Sequence, residues 1–200
     1  MARVVDTGTL TKGSVVPRII YSAACSLDGF NTDAEGSFAW AYPGEEVIAA
    51  INADLGAVST YLYGRRMYET MAGWETDPAV AAQSPESAAF ATVWQAAEKV
   101  VFSSSLPKVW TEHTRLERKL TVEAVERARA AATGDLTVEG PTLAHSALRL
   151  GVVDVVELLI CPVIVGGGAP VLPDGLRVDL SLERERRFDN GMAQLTYSVR

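Results

Sequence analysis

Three short segments gather the residue types that hold phosphate. They are Gly64-Arg65-Arg66-Met67-Tyr68-Glu69, Ser103-Ser104-Ser105-Leu106 and Glu139-Gly140-Pro141-Thr142-Leu143. Glycine lets the main chain approach a ligand closely, arginine adds charge in a planar fork, and serine hydroxyls donate hydrogen bonds. Each segment follows a β-branched or aromatic run (YLY, VVF and LTV), so each reads as the exit of a strand. The first and third lead straight into helical patterns, whose first N–H groups suit a pyrophosphate. In open α/β sheets, ligands bind in the crevice beyond the carboxyl ends of the strands. Together the exits point to nucleotide chemistry. Taken singly, each has a plainer reading: a turn glycine with Arg65 and Arg66 in water, a serine loop, and an ordinary helix start.

The elements that must position these exits follow from periodicity. Residues 18–26 (RIIYSAACS) read as a strand, apolar enough to be central. Residues 27–44 read as a loop, with Asp28-Gly29, Asn31 and Glu35-Gly36 as turn formers. Val47, Ile48, Ile51 and Leu55 recur at helical spacing over 43–55. A strand is expected over 58–63, a short helix over 65–71, a loop over 73–85 and a helix over 87–97 with Phe90 and Trp94 on one face. Strands follow over 99–103 and, short and at an edge, over 114–116. The pattern over 121–132 is a clear amphipathic helix.

Residues 136–168 then read as a βαβ unit: strand, glycine turn, helix from Thr142 to Gly151, and an apolar run over 152–165. Gly166, Gly167 and Gly168 precede Pro170 and Pro173 rather than a helical pattern, which makes them a flexible crossing between strands. Residues 183–188 and 192–199 flank Asp189-Asn190-Gly191, a hairpin turn signal. In the second arm Ala193, Leu195, Tyr197 and Val199 share one face, and Gln194, Thr196 and Ser198 the other. Strands alternating with helices and closing in an antiparallel hairpin predict an α/β sandwich with a mixed, mostly parallel sheet.

Size and charge narrow the function classes. The 200 residues, 48% hydrophobic and 22% charged, suit one globular domain. A formal net charge of −7 is a poor match for duplex DNA, so no nucleic-acid partner is expected. Cys25 and Cys161 sit in apolar runs and read as buried small hydrophobes. With two histidines and no CxxC pair, no metal site is expected. Residues 1–17 lack periodicity and read as a flexible extension. Neither a secretory signal nor an apolar stretch long enough to cross a bilayer is seen, which leads to the expectation of a soluble cytoplasmic protein with no membrane partner. The GxGxxG and P-loop patterns are both absent.

The order of these motifs carries a resemblance. Ser26-Leu27-Asp28-Gly29-Phe30, the Gly64 segment, Val101-Phe102-Ser103-Ser104-Ser105-Leu106, Glu139-Gly140-Pro141-Thr142-Leu143-Ala144, Leu150-Gly151-Val152-Val153-Asp154 and Cys161-Pro162-Val163-Ile164-Val165-Gly166-Gly167-Gly168 occur in sequence. The chain over 18–200 resembles the dihydrofolate reductase-like proteins, most closely the branch with the reductase domain of bacterial riboflavin biosynthesis.

The resemblance implies a three-layer sandwich and NADPH-dependent reduction of a small heterocycle, pterin-like or a ribosylamino-pyrimidine. It assigns the pyrophosphate to Gly64, Arg65, Arg66 and Met67 and to Glu139, Gly140, Pro141, Thr142 and Leu143. Ser103, Ser104 and Ser105 fall to the adenosine ribose and its 2′-phosphate, and the backbone near Ala24 to the nicotinamide carboxamide. Two departures stand out: Met67 where the family often has Thr, and Ser104 where it often has Arg. The 2′-phosphate then leans on Arg65 or Arg66, and the preference for NADPH over NADH stays open.

Hydride transfer also needs a proton source. The acid at the start of the first helix in dihydrofolate reductases corresponds most nearly to Glu45, although acids in a first turn are favoured by the helix dipole alone. Asp28 is a second candidate, although Asp-Gly is also good turn chemistry. Trp40 and Tyr42 read either as an aromatic wall for a flat substrate or as pins that hold the loop to the core. The branch further implies a homodimer built on the final hairpin and the run over 152–165. A protein of this fold that binds NADP(H) without catalysis is the alternative reading.

Overall fold

The computed structural model describes residues 16–200, and the extension expected over 1–17 lies almost wholly outside them. Eight strands form one sheet in the order β5-β4-β3-β6-β1-β7-β10-β9. In chain order, β1 is Ile19–Ser26, β2 is Phe30–Thr32, and a single 3-10 turn spans Ala39–Ala41. Helix α1 (Gly44–Leu55), strand β3 (Val58–Gly64) and helix α2 (Arg65–Met71) follow. Two one-turn helices, α3 (Gly73–Thr76) and α4 (Pro78–Ala81), precede α5 (Pro85–Ala96), β4 (Glu98–Phe102) and β5 (Thr114–Glu117). The chain continues with α6 (Val122–Ala131), β6 (Asp135–Glu139), α7 (Pro141–Arg149), β7 (Val155–Cys161), β8 (Ala169–Pro170), β9 (Leu180–Arg187) and β10 (Ala193–Val199).

The pairs from β5 through β7 are parallel, and β10 runs antiparallel to both β7 and β9. Ile19, Tyr21, Leu136 and Val138 pack with Val125, Ala144 and Leu148 of α6 and α7 in one core. Tyr61, Tyr63 and Val101 pack with Tyr68 and Trp94 of α2 and α5 in a second. Val47 of α1 joins Leu159, Cys161 and Phe188 in a third. Helices on both faces of the sheet make the expected three layers, with the antiparallel hairpin at one edge.

Three expectations need revision. Residues 27–44 and 73–85 are not plain loops. The first holds β2, paired with β8, and the second holds α3 and α4, where Asp77 caps α4 by accepting Ala79 N–H at 3.0 Å. The third is the crossing at Gly166–Gly168, which is held at two points: Gly166 N–H donates to Asp28 at 2.8 Å, and Gly168 lies against the main chain of β2. A Cβ on Gly168 would run into the carbonyl of Thr32. Cys25 and Cys161 are buried and unbridged, as expected. Among the described residues no helix is long and apolar enough to cross a membrane.

Candidate functional site

Strand β1 pairs with β6 only over Ile19, Tyr21 and the residue between, opposite Leu136, Thr137 and Val138. On its other side β1 stays paired with β7 as far as Ser26. The neighbours β1 and β6 therefore part beyond Tyr21 and Val138, and a crevice opens at their carboxyl ends, the place where such sheets hold ligands. A cleft of about 320 Å³ lies there. Ala24 and Asn31 line it from the β1 side, and Met67, Glu139, Gly140 and Pro141 from the β6 side.

The backbone explains the shape. Gly140 has φ 87 and ψ 127, a conformation that L side chains rarely adopt, and it turns the chain from β6 into α7. Pro141 occupies the first turn, where its missing N–H is no loss. No side chain caps α7, which leaves its first amides open to an anion. Gly64, in an extended conformation with φ −77 and ψ 165, leads β3 into α2, also without a side-chain cap. A Cβ on Gly64 would lie 3.7 Å from Leu143 Cβ, and one on Gly140 would lie 3.4 Å from Met67 Cβ. The two glycine turns thus stand against each other.

The serine loop is next along the same edge, since Gly64 is the register partner of Phe102. Ser103 is buried, and its Oγ accepts the N–H groups of Leu106 at 3.0 Å and Ser105 at 3.3 Å, closing its own turn. Ser104 and Ser105 are exposed. Arg65 donates to Ser105 Oγ at 3.4 Å and to Glu69 at 2.7 Å. Arg66 and Thr142 are exposed and do not line the cleft. Sequence reasoning missed Arg118. Its guanidinium donates to the carbonyls of Leu106 at 2.6 Å and Ser103 at 3.4 Å, and among the described residues it has no carboxylate partner. No local motif marks Arg118, which reaches this loop only because β4 and β5 pair in parallel.

Glu139 was expected only as part of the pyrophosphate turn. Its carboxyl has one donor, Thr137 Oγ1 at 3.3 Å, and burial pushes it up to about 7. The Ala24 carbonyl already accepts Asn31 Nδ2 at 3.0 Å.

The other expected acids and aromatics do not meet at this cleft. Asp28 accepts the N–H groups of Val165 at 3.1 Å and Gly166 at 2.8 Å, tying the first loop to the glycine crossing. Hydrogen bonds from Ser26 and from those amides hold its carboxyl below the usual range, so it is ionised and a poor acid at neutral pH. Glu45 is exposed in the first turn of α1, where the helix dipole favours it. Trp40 is packed against the buried cluster of Val47, Leu159, Cys161, Phe188 and Met192, the pinning role, and Tyr42 is 76% exposed. None of the four lines the cleft.

Comparisons with known proteins agree with this architecture. The uncharacterized protein YyaP of Bacillus subtilis (strain 168) is 26% identical over 188 residues, covering 90% of this chain and 94% of its own. A putative riboflavin biosynthesis protein from Shewanella sp. PV-4 superposes with a TM-score of 0.73 at 18% identity, over 92% of this chain and 99% of that one. Dihydrofolate reductase from Enterococcus faecalis, complexed with NADP(H) and RAB-propyl, superposes with a TM-score of 0.58 at 13% identity, over 91% and 96%. These superpositions establish a shared fold. The family model of the RibD C-terminal domain matches residues 17–193, and the chain belongs to that family.

Proposed function

We propose that the protein is an NADPH-dependent reductase of a small heterocyclic substrate. The observation that carries this reading is Glu139: a carboxyl tuned by burial to about 7, in the cleft between parted strands and one residue before an uncapped helix N-terminus. The residues present fit a dinucleotide. The open amides at the start of α7 suit the pyrophosphate, the serine loop with Arg65 and Arg118 suits the adenosine end, and the Ala24–Asn31 wall suits the nicotinamide amide.

Bound NADPH would supply a hydride to the carbon of a C=N or C=O bond and leave as NADP⁺. Glu139 donates a proton to the heteroatom of that bond, remains as carboxylate, and regains a proton from water. A group half-protonated near pH 7 is well matched to this task. Met67, Phe90 and Leu159 line the same cleft and keep water from the reacting atoms. The protein would work as a homodimer through the hairpin edge, where Leu182 is 51% exposed and Ile164, just past β7, is 71% exposed.

The test is NADPH oxidation by the purified protein with a panel of pterins and aminopyrimidine ribosides. Turnover that is saturable in substrate supports the reading. NADPH binding without turnover of any member favours a catalytically silent NADP(H)-binding protein, and no binding removes both.

A further inference from the structure

Strand β1 has an open main-chain edge inside the cleft. Leu136 N–H donates to the Arg18 carbonyl at 2.8 Å, and Asp154 N–H to the Ile19 carbonyl at 2.9 Å. Successive residues of β1 therefore turn their N–H and C=O alternately toward β6 and toward β7, and Ala24 shares the β6 side with Arg18. Pairing with β6 ends at Tyr21, so Ala24 has no strand opposite it on that side. Ala24 lines the cleft. An open N–H beside an open C=O is the complement of an amide.

The acceptor half of that pair is already in use. Asn31 Nδ2 donates to the Ala24 carbonyl at 3.0 Å. A carbonyl only accepts, so the Asn31 amide is fixed with its nitrogen toward Ala24 and its oxygen away from it. A second N–H brought to the same carbonyl would meet the Asn31 amino hydrogens, donor against donor. Asn31 Oδ1 offers an acceptor beside it. This oxygen has no partner among the described residues and is not enclosed, and Asn31 lines the cleft. Its backbone is held on both sides. Phe30 and Thr32 pair with β8, and Phe30 N–H donates to Ser26 Oγ at 3.0 Å. An acceptor fixed before the ligand arrives loses little freedom on binding.

We propose that Asn31 is a specificity-determining residue for the cofactor and reads the primary carboxamide of its nicotinamide. Ala24 N–H donates to the carboxamide oxygen, and Asn31 Oδ1 accepts one carboxamide N–H. This rests on the reductase reading, and it moves the acceptor from the Ala24 main chain, where the resemblance puts it, to a side chain. The contact is blind to the 2′-phosphate, so it acts independently of the adenosine end. Held by both bonds, the nicotinamide keeps one orientation about its carboxamide, which fixes the ring face turned to the substrate.

The experiment uses the full-length protein and calorimetric titration. NADPH is compared with its 3-acetylpyridine analogue, in which a methyl group replaces the carboxamide nitrogen. The native protein should bind NADPH more tightly than the analogue by about fivefold or more. Asn31→Leu should lose about that factor for NADPH and stay within about twofold of the native protein for the analogue. Retained binding of the analogue also reports that the variant has kept its site. Equal affinities in the native protein, equal losses for both ligands in Asn31→Leu, or unchanged or tighter NADPH binding in that variant would overturn the inference. The native comparison needs no variant to fold. Failure of the native protein to bind either ligand would instead strike the reductase reading.

Discussion

Tyr63 of β3 and Glu139 of β6 are register partners, and each is followed at once by the glycine that turns its strand into a helix. This single juxtaposition sets Gly64 and Gly140 side by side on one edge and places the Glu139 carboxyl beside the two helix starts. The predictions below concern that edge and the loops that frame it.

Gly140→Asp should weaken NADPH binding more than tenfold, at least about 1.4 kcal/mol. The new carboxylate would sit against the cofactor's pyrophosphate, and its Cβ would approach Met67 from a positive-φ backbone. The same strain should lower stability by about 1–2 kcal/mol. Fluorescence titration reads the first effect, denaturant unfolding the second. An unchanged dissociation constant would remove the turn from the site.

Glu139→Gln should abolish the pH dependence of reduction near neutrality. In the native protein the rate should be flat below pH 7 and fall above it, as the acid ionises. Stability carries its own signature. An unfolded Glu ionises near 4.5 and the folded one near 7. Between these values the unfolded chain gives up a proton that the folded chain keeps, so this group destabilises the fold progressively as pH rises and by a constant amount above. Denaturant midpoints across that window should flatten in the Gln variant. A native rate profile shared by the variant would dismiss Glu139 as the proton source.

Asp28→Ala should cost stability and spare the chemistry. It strips acceptors from the Val165 and Gly166 amides, which tie the first loop to the glycine crossing. The pH profile of the remaining activity should keep its shape. A profile that loses its acid limb in Asp28→Ala would return this residue to the list of proton donors.

The framework of this fold is legible in the chain because periodicity reports it directly. The LTV-EGP-helix passage and the Asn190-Gly191 hairpin turn each combine a period with a stop signal, and each falls where expected. Tertiary choices are less visible. Alternation separates the two faces of β10, but hydrophobicity would send Gln194 and Thr196 outward. Both are buried, because Glu157 and Asp54 lie beneath α1 and give them polar partners. The same limit hid the proposed proton site. A Glu before a glycine turn looks like surface chemistry until β6 is known to be interior and the strand beside it to diverge. Trp40 and Tyr42 attracted notice by residue type and Glu45 by its place at the start of the first helix, and neither says which way that segment packs.

Arg118→Gln tests the adenosine end. If its guanidinium, which has no carboxylate partner among the described residues, supplies the charge that Ser104 lacks, NADPH affinity should fall about tenfold in the variant, consistent with one charge-assisted hydrogen bond. NADH affinity should stay within twofold, since NADH carries no 2′-phosphate. Equal losses for both cofactors would reduce Arg118 to a clamp on the Ser103–Leu106 turn.

The claim beneath all of these is that the parted ends of β1 and β6 hold a dinucleotide. Titrating NADPH into the full-length protein, with fluorescence of the reduced nicotinamide as the readout, addresses it most directly. The account predicts saturable enhancement with a dissociation constant of about 1–100 μM, largely lost in Gly140→Asp. Fluorescence that does not change up to about 1 mM NADPH would contradict it.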